Sequence, residues 1–144
     1  MGKKRIATKK GKIVDSGAKS RAIARVSKRR LSAGTLHVQA TYNNTRVSLT
    51  DKKGNLIASS SSGSLGFKGA KKGTPFAAAK VGEVIGESAK QIGVKEVDVI
   101  VKGVGAGREA ALRGFSGKGV DLSRIQDQTP VPHNGVRPRR PRRV

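Results

Sequence analysis

A chain of 144 residues carrying 31 Lys+Arg against 9 Asp+Glu has a formal net charge of +22. That length suffices for one domain with a core, and so large a charge points to a polyanionic partner, because unrelieved self-repulsion works against compaction. The absence of cysteine excludes disulfides and thiolate metal sites, and no stretch approaches the ~20 apolar residues of a membrane-spanning helix. With no Trp, one Tyr and three Phe, an aromatic platform is not expected to be the main device for binding single-stranded bases.

The charge is unevenly placed. Residues 1–30 hold twelve Lys/Arg and one acid, residues 136–144 hold five and none, and together these ends carry sixteen of the 22 net charges. The chain therefore divides into a basic N-terminal arm (1–33), a mildly basic globular α/β body (34–126) and a basic Pro/Arg-rich C-terminal extension (127–144). Lys3-Lys4-Arg5 is not followed by the apolar run of a secretory signal. Within the arm, Ala22, Ile23 and Val26 have the spacing of one or two helical turns, lined by Arg21, Arg25, Lys28, Arg29 and Arg30. The alternative is a linker that orders only on a polyanion.

In the body, Leu36 to Tyr42 alternates apolar and polar residues and predicts a strand with one buried face, His37 lying on the polar side. Asn43-Asn44 is a turn signal; Arg46 to Thr50 alternates again; Asp51 to Gly54 is a second turn and Asn55 to Ser59 a third, weaker strand. Three strands joined by short turns make an antiparallel meander. Residues 59–73 read as a Ser/Gly/Lys loop pinned to the core by Phe67. Thr74-Pro75 then opens a helix, with a hydroxyl cap and proline at the first position. Ala77, Val81, Val84, Ile85, Ala89 and Ile92 share one face of it, and Gly93 ends it. Val97 to Val101 predicts a central strand buried on both faces, with Asp98 in need of a partner or an edge. A helix at 109–113, ended by Gly117 and Gly119, and a last short strand through Val120, Leu122 and Ile125 complete two right-handed β-α-β crossovers.

Gly103-x-Gly105-x-Gly107-Arg108 lies between a strand and a helix but fits neither nucleotide fingerprint: position 108 is not the third glycine, and no Lys-Ser/Thr follows. Two readings remain. The glycines and helix N-terminus approach a phosphate with Arg108 as a charged fork, or the segment is a tight turn with a solvated Arg108. Catalysis has little support. The first strand has no carboxylate, Asp51 lies in a turn, Glu83 and Glu87 lie on the polar side of a helix, and His37 and His133 are far apart. In the extension, Pro130, Pro132, Pro138 and Pro141 forbid helix and favour extended backbone, while Arg137, Arg139, Arg140, Arg142 and Arg143 offer forks to phosphates. His133 and Asn134 fix the bend before that basic tract or simply pack a turn, and Asn134-Gly135 is a deamidation-prone pair.

Six motifs occur in order: Tyr42-Asn43-Asn44-Thr45, Thr50-Asp51 with Gly54, Gly66-Phe67-Lys68-Gly69, Thr74-Pro75-Phe76-Ala77-Ala78, the glycine loop with Arg108-Glu109, and Asp127-x-Thr129-Pro130-x-Pro132-His133-Asn134-Gly135. In these, residues 30–144 resemble the eleventh protein of the small ribosomal subunit, a universal family whose bacterial members look most similar. Where that family commonly has Gly-Pro-Gly-Pro-Gly-Arg, Val104 and Ala106 stand here. The resemblance implies a three-layer α/β body with a mixed five-stranded sheet of ribonuclease H-like topology, lacking that enzyme's acids. It implies a cytoplasmic, ribosome-bound structural protein on the platform of the small subunit, near the messenger RNA exit channel. Its partners would be the central domain of the small-subunit ribosomal RNA and the seventh, eighteenth and twenty-first small-subunit proteins. The RNA-binding residues expected are Asn43, Asn44, Lys68, Lys71, Lys72, Arg108, His133, Asn134, Arg137, Arg139, Arg140, Arg142 and Arg143. No cofactor, metal, membrane or catalytic residue is expected. A DNA-compacting protein is the rival from another class; it predicts wedge residues at strand tips, where Asn, Lys and Gly stand, and equal affinity for duplex DNA.

Overall fold

A computed structural model describes residues 16–24 and 30–143. The elements are α1 (Ser16–Ala24), β1 (Ala33–Ala40), β2 (Thr45–Thr50), β3 (Leu56–Ser61), a 3-10 turn (Gly69–Gly73), α2 (Pro75–Ile92), β4 (Glu96–Lys102), α3 (Gly107–Ser116) and β5 (Asp121–Asp127). Ala22 and Ile23 of the expected helical turns fall within α1, whose Ala18 is buried and whose Ile23 packs on the core. The rest of that expectation, with Arg25, Val26, Lys28 and Arg29, lies outside the described residues.

The sheet runs β3-β2-β1-β4-β5, with β1, β2 and β3 antiparallel and β4 parallel to both β1 and β5. The meander forms because alternation sets the register. Leu36 and Val38 pair with Leu49 and Val47, so one face of β1 and β2 is apolar and the other carries His37, Gln39, Arg46 and Ser48. Asp51 closes the second turn through its carboxylate, which accepts from the Lys53 and Asn55 amides at 2.8 and 2.9 Å and from the Asn55 side chain.

The body has two layers where three were expected. Both crossovers, β3-α2-β4 and β4-α3-β5, step across the sheet in the same direction, and right-handed connections then place both helices on one face. A second helical layer would need the strand order to reverse. For the same reason β4 is not buried on both faces: Val97, Val99 and Val101 are buried under the helices, whereas Asp98 and Ile100 on the open face are half-buried. Asp98 sits between Thr35 of β1 and Arg124 of β5 in the strand register.

Helix α2 is set by its ends. The Thr74 hydroxyl accepts from the Ala77 amide at 3.4 Å, Pro75 follows, and Gly93 takes the left-handed cap at φ 90°. Val81, Val84, Ile85 and Ile92 bury the helix against the sheet, and each such side chain contributes about 2 kcal/mol. Helices α2 and α3 meet through small residues: a Cβ on Gly82 would come within 2.1 Å of the Ala111 carbonyl oxygen, and one on Gly114 within 2.3 Å of the Ala79 oxygen. Glu87 ties α1 and the end of α3 to α2, accepting from Lys19 at 3.0 Å and Lys118 at 3.1 Å. Burial raises the pKa of Glu87, but these two lysines outweigh it and hold the carboxyl below its ordinary value.

The last strand differs from its expected pattern for a local reason. The register slips between Val97 and Asp98, so Val97 faces Leu122, Asp98 faces Arg124, and Ser123 is an extra residue. That bulge breaks the period of two and explains why Leu122 and Ile125 stand three apart. Val120 is buried just before the strand, Leu122 is half-buried, and Ile125 is exposed at the sheet edge.

Candidate nucleic-acid interface

Parallel pairing of β1, β4 and β5 brings their C-terminal ends to one end of the sheet. Three segments leave there: the turn at 41–44, the glycine loop at 103–106 and the extension from 127. Because β3 runs parallel to β4 and α2 connects them, the 3-10 turn and the start of α2 reach the same end.

The turn at 41–44 is braced from within and from both sides. The Thr41 amide and hydroxyl donate to the Asn44 carbonyl at 2.8 and 3.1 Å, and the Asn44 amide donates to the Thr41 hydroxyl at 3.1 Å. A Cβ on Gly73 would lie 2.2 Å from the Tyr42 oxygen, and one on Gly105 would lie 2.2 Å from the Thr41 oxygen. The structure thus brings Asn43 and Asn44 beside the lysine-bearing loop. Asn43 is exposed; Asn44 is half-buried, with its Oδ1 buried and without a hydrogen-bond partner, as is the Thr45 hydroxyl next to it. Lys68 and Lys71 are exposed and Lys72 half-buried, on or just before the 3-10 turn. That turn is joined to α2 by the Thr74 hydroxyl, which donates to the Lys71 carbonyl at 2.7 Å.

The glycine loop answers the question the sequence left open. Its close approach is to the protein's own strand: a Cβ on Gly103 would lie 2.0 Å from the Ala40 oxygen, and a Cβ on Gly107 would lie 2.3 Å from the Thr45 hydroxyl. Gly103 also has φ 101°, a conformation other residues rarely adopt. Arg108 is not a solvated fork. Its guanidinium donates to the Gly103 carbonyl and the Thr129 hydroxyl and pairs with the Asp127 carboxylate.

Asp127 and Thr129 are the residues whose roles were not evident from sequence. Asp127 accepts from the Thr129 amide at 2.9 Å and from its hydroxyl at 2.6 Å, while the same hydroxyl accepts from the Gly103 amide at 3.2 Å. The Gln128 amide continues the ladder to the Val101 carbonyl at 2.9 Å. The available signal was the Asp-x-Thr spacing, which favours a side chain accepting from the backbone two residues on. Beyond this root the chain is exposed from Pro130 to Arg143, including His133, Asn134 and all five arginines of the tail. Asn134 has φ 53°, the one positive φ of a non-glycine residue among those described.

Hydrogen bonds from Thr129 first, then from Arg108, lower the Asp127 pKa from 3.8 to about 2. The sign follows from a depressed carboxylate: the root contacts are fully present above pH 3.8 and are lost as pH falls through about 2. The Thr129 and Gly103 amide resonances will therefore titrate together with a midpoint near pH 2, and Asp127→Asn will abolish that titration. A midpoint near 3.8 would mean that the contacts are absent in solution.

A family model described as Ribosomal protein S11 matches residues 34–143 of the chain.

Proposed function

This chain belongs to the ribosomal protein S11 family, and on that premise we propose that it clamps the central domain of the small-subunit ribosomal RNA, with the loops at one end of its sheet docking on the fold and its basic ends threading between RNA helices. Members of the family are structural components of the small ribosomal subunit that bind its RNA, and they are ribosome-associated proteins, not enzymes. The observation that carries the finer reading is convergence. Asn43, Asn44, Lys68, Lys71 and Lys72 share one end of the body with the root of an exposed, arginine-rich extension.

In this reading residues 34–126 are the body, 1–33 and 127–144 are straps, and Arg137, Arg139, Arg140, Arg142 and Arg143 engage phosphates while His133 and Asn134 set the bend. Arg108 takes part by aiming the extension, since its guanidinium is committed to Asp127 and Thr129. Contacts of this kind read backbone shape more than base identity. The strand order and the two crossovers support a ribonuclease H-like topology. A place on the platform near the messenger exit channel, in cytoplasmic ribosomes and beside the seventh, eighteenth and twenty-first proteins, completes the proposal.

Sedimentation tests it. The tagged chain is expected to co-migrate with small subunits through a high-salt wash, and crosslinks from the tail should fall in the central domain. Recovery in the soluble pool, or crosslinks to another RNA domain, would overturn it.

A further inference from the structure

The chain has one tyrosine and three phenylalanines, and two of these four rings are exposed at the RNA-facing end of the body. Tyr42 is 78% exposed and Phe76 51% exposed; Val104, in the adjoining glycine loop, is 60% exposed. Their backbones are brought together by the same glycine contacts that brace the turn, Gly73 against Tyr42 and Gly105 against Thr41, with Phe76 three residues beyond Gly73. Phe76 is itself held: Phe67 meets it edge-on at 6.2 Å between centroids, and the Lys80 ammonium lies 5.7 Å from its centroid. An aromatic ring on a backbone fixed by three hydrogen bonds, left in water, is an arrangement that gains when an apolar or aromatic surface covers it.

Resting on the RNA-binding reading above, we propose that Tyr42 is a stacking site for one unpaired base of the ribosomal RNA, with Phe76 and Val104 as its apolar walls. The surroundings select this occupant. Lys68 and Lys71, both exposed on the adjoining loop, supply cations for the flanking phosphates, while Lys80 is held by Glu83 at 3.0 Å, and the exposed Asn43 follows Tyr42 in the chain. Every base has a π-face, so stacking needs no particular sequence, and it requires the base to be out of a duplex. A tight turn presenting one ring can serve a single splayed nucleotide, which accords with the scarcity of aromatic residues in the chain as a whole.

The test uses the full chain and a transcript of the central domain of the small-subunit RNA, with affinity measured by filter binding. Tyr42→Phe keeps the ring and is expected to bind within about two-fold of the unaltered chain, whereas Tyr42→Leu keeps apolar bulk without a π-face and is expected to bind about ten-fold more weakly. Phe76→Leu should show a smaller loss. Chemical probing should find one unpaired base that is protected by the unaltered chain and reactive with Tyr42→Leu. Equal binding by Tyr42→Leu overturns the stacking site while leaving the RNA reading intact, as does a pattern of base protection that is the same with Tyr42→Leu as with the unaltered chain. Failure of the unaltered chain to bind overturns both.

Discussion

Removing residues 136–144 is expected to weaken binding to small-subunit ribosomal RNA by at least about a hundredfold near physiological salt and to lower the log–log salt slope by about 4. The deleted segment holds five arginines and no acid, and each phosphate it neutralises releases condensed counterions. Stability should not change, because residues 136–143 are exposed along their length and the core lies elsewhere. A thermal melt of the truncated chain therefore separates loss of binding from loss of fold. Replacing the same five arginines by lysine makes the sharper comparison. Charge, and hence the salt slope, is kept, while the planar fork that engages a phosphate through two parallel hydrogen bonds is lost. The lysine variant should fall between the two. If the truncated chain binds as tightly as the intact one, the extension is not a binding element.

The second large effect is on stability. Gly103→Ala is expected to cost about 3 kcal/mol, or about 10 °C in Tm for a domain of this size. Two penalties add. The left-handed backbone at φ 101° is disfavoured for an L-residue by about 1–2 kcal/mol. The new Cβ would also meet the Ala40 carbonyl oxygen at 2.0 Å, and overpacking of that kind costs about 1–3 kcal/mol. Gly119→Ala is the control: its φ is also positive, 83°, but nothing lies within 4 Å of the added Cβ, so only the first penalty applies. A difference between the two variants reports the clash with β1. Equal Tm values would show that the Ala40 contact relaxes at no cost.

The elements most legible in the sequence were those specified locally. Thr74-Pro75 and Gly93 mark the ends of α2 within a residue, and alternation in β1 and β2 sets both their existence and their apolar face. The first strand was expected to reach Tyr42 and instead ends at Ala40, because Thr41 and Asn44 close a turn on each other. What the sequence withheld was long-range. Whether glycines at 103, 105 and 107 admit a phosphate or the chain's own strand depends on where β1 ends in space. Arg108 meets Asp127 and Thr129 across 19 and 21 residues, a pairing fixed by β4 and β5 lying side by side. The number of layers followed from strand order, which periodicity does not report. The extra residue at Ser123 sets Ile125 beside the buried Val99, yet Ile125 is exposed because β5 is an edge strand.

The anchorage of the extension has a further consequence for the order of events during synthesis. Val101, Gly103 and Arg108 all precede the segment they hold, and Asp127 is the final residue of the final strand. A nascent chain consequently has no fixed starting direction for its arginine tract until the sheet is finished. A body with its closing strand out of register would project that tract from a different corner of the sheet.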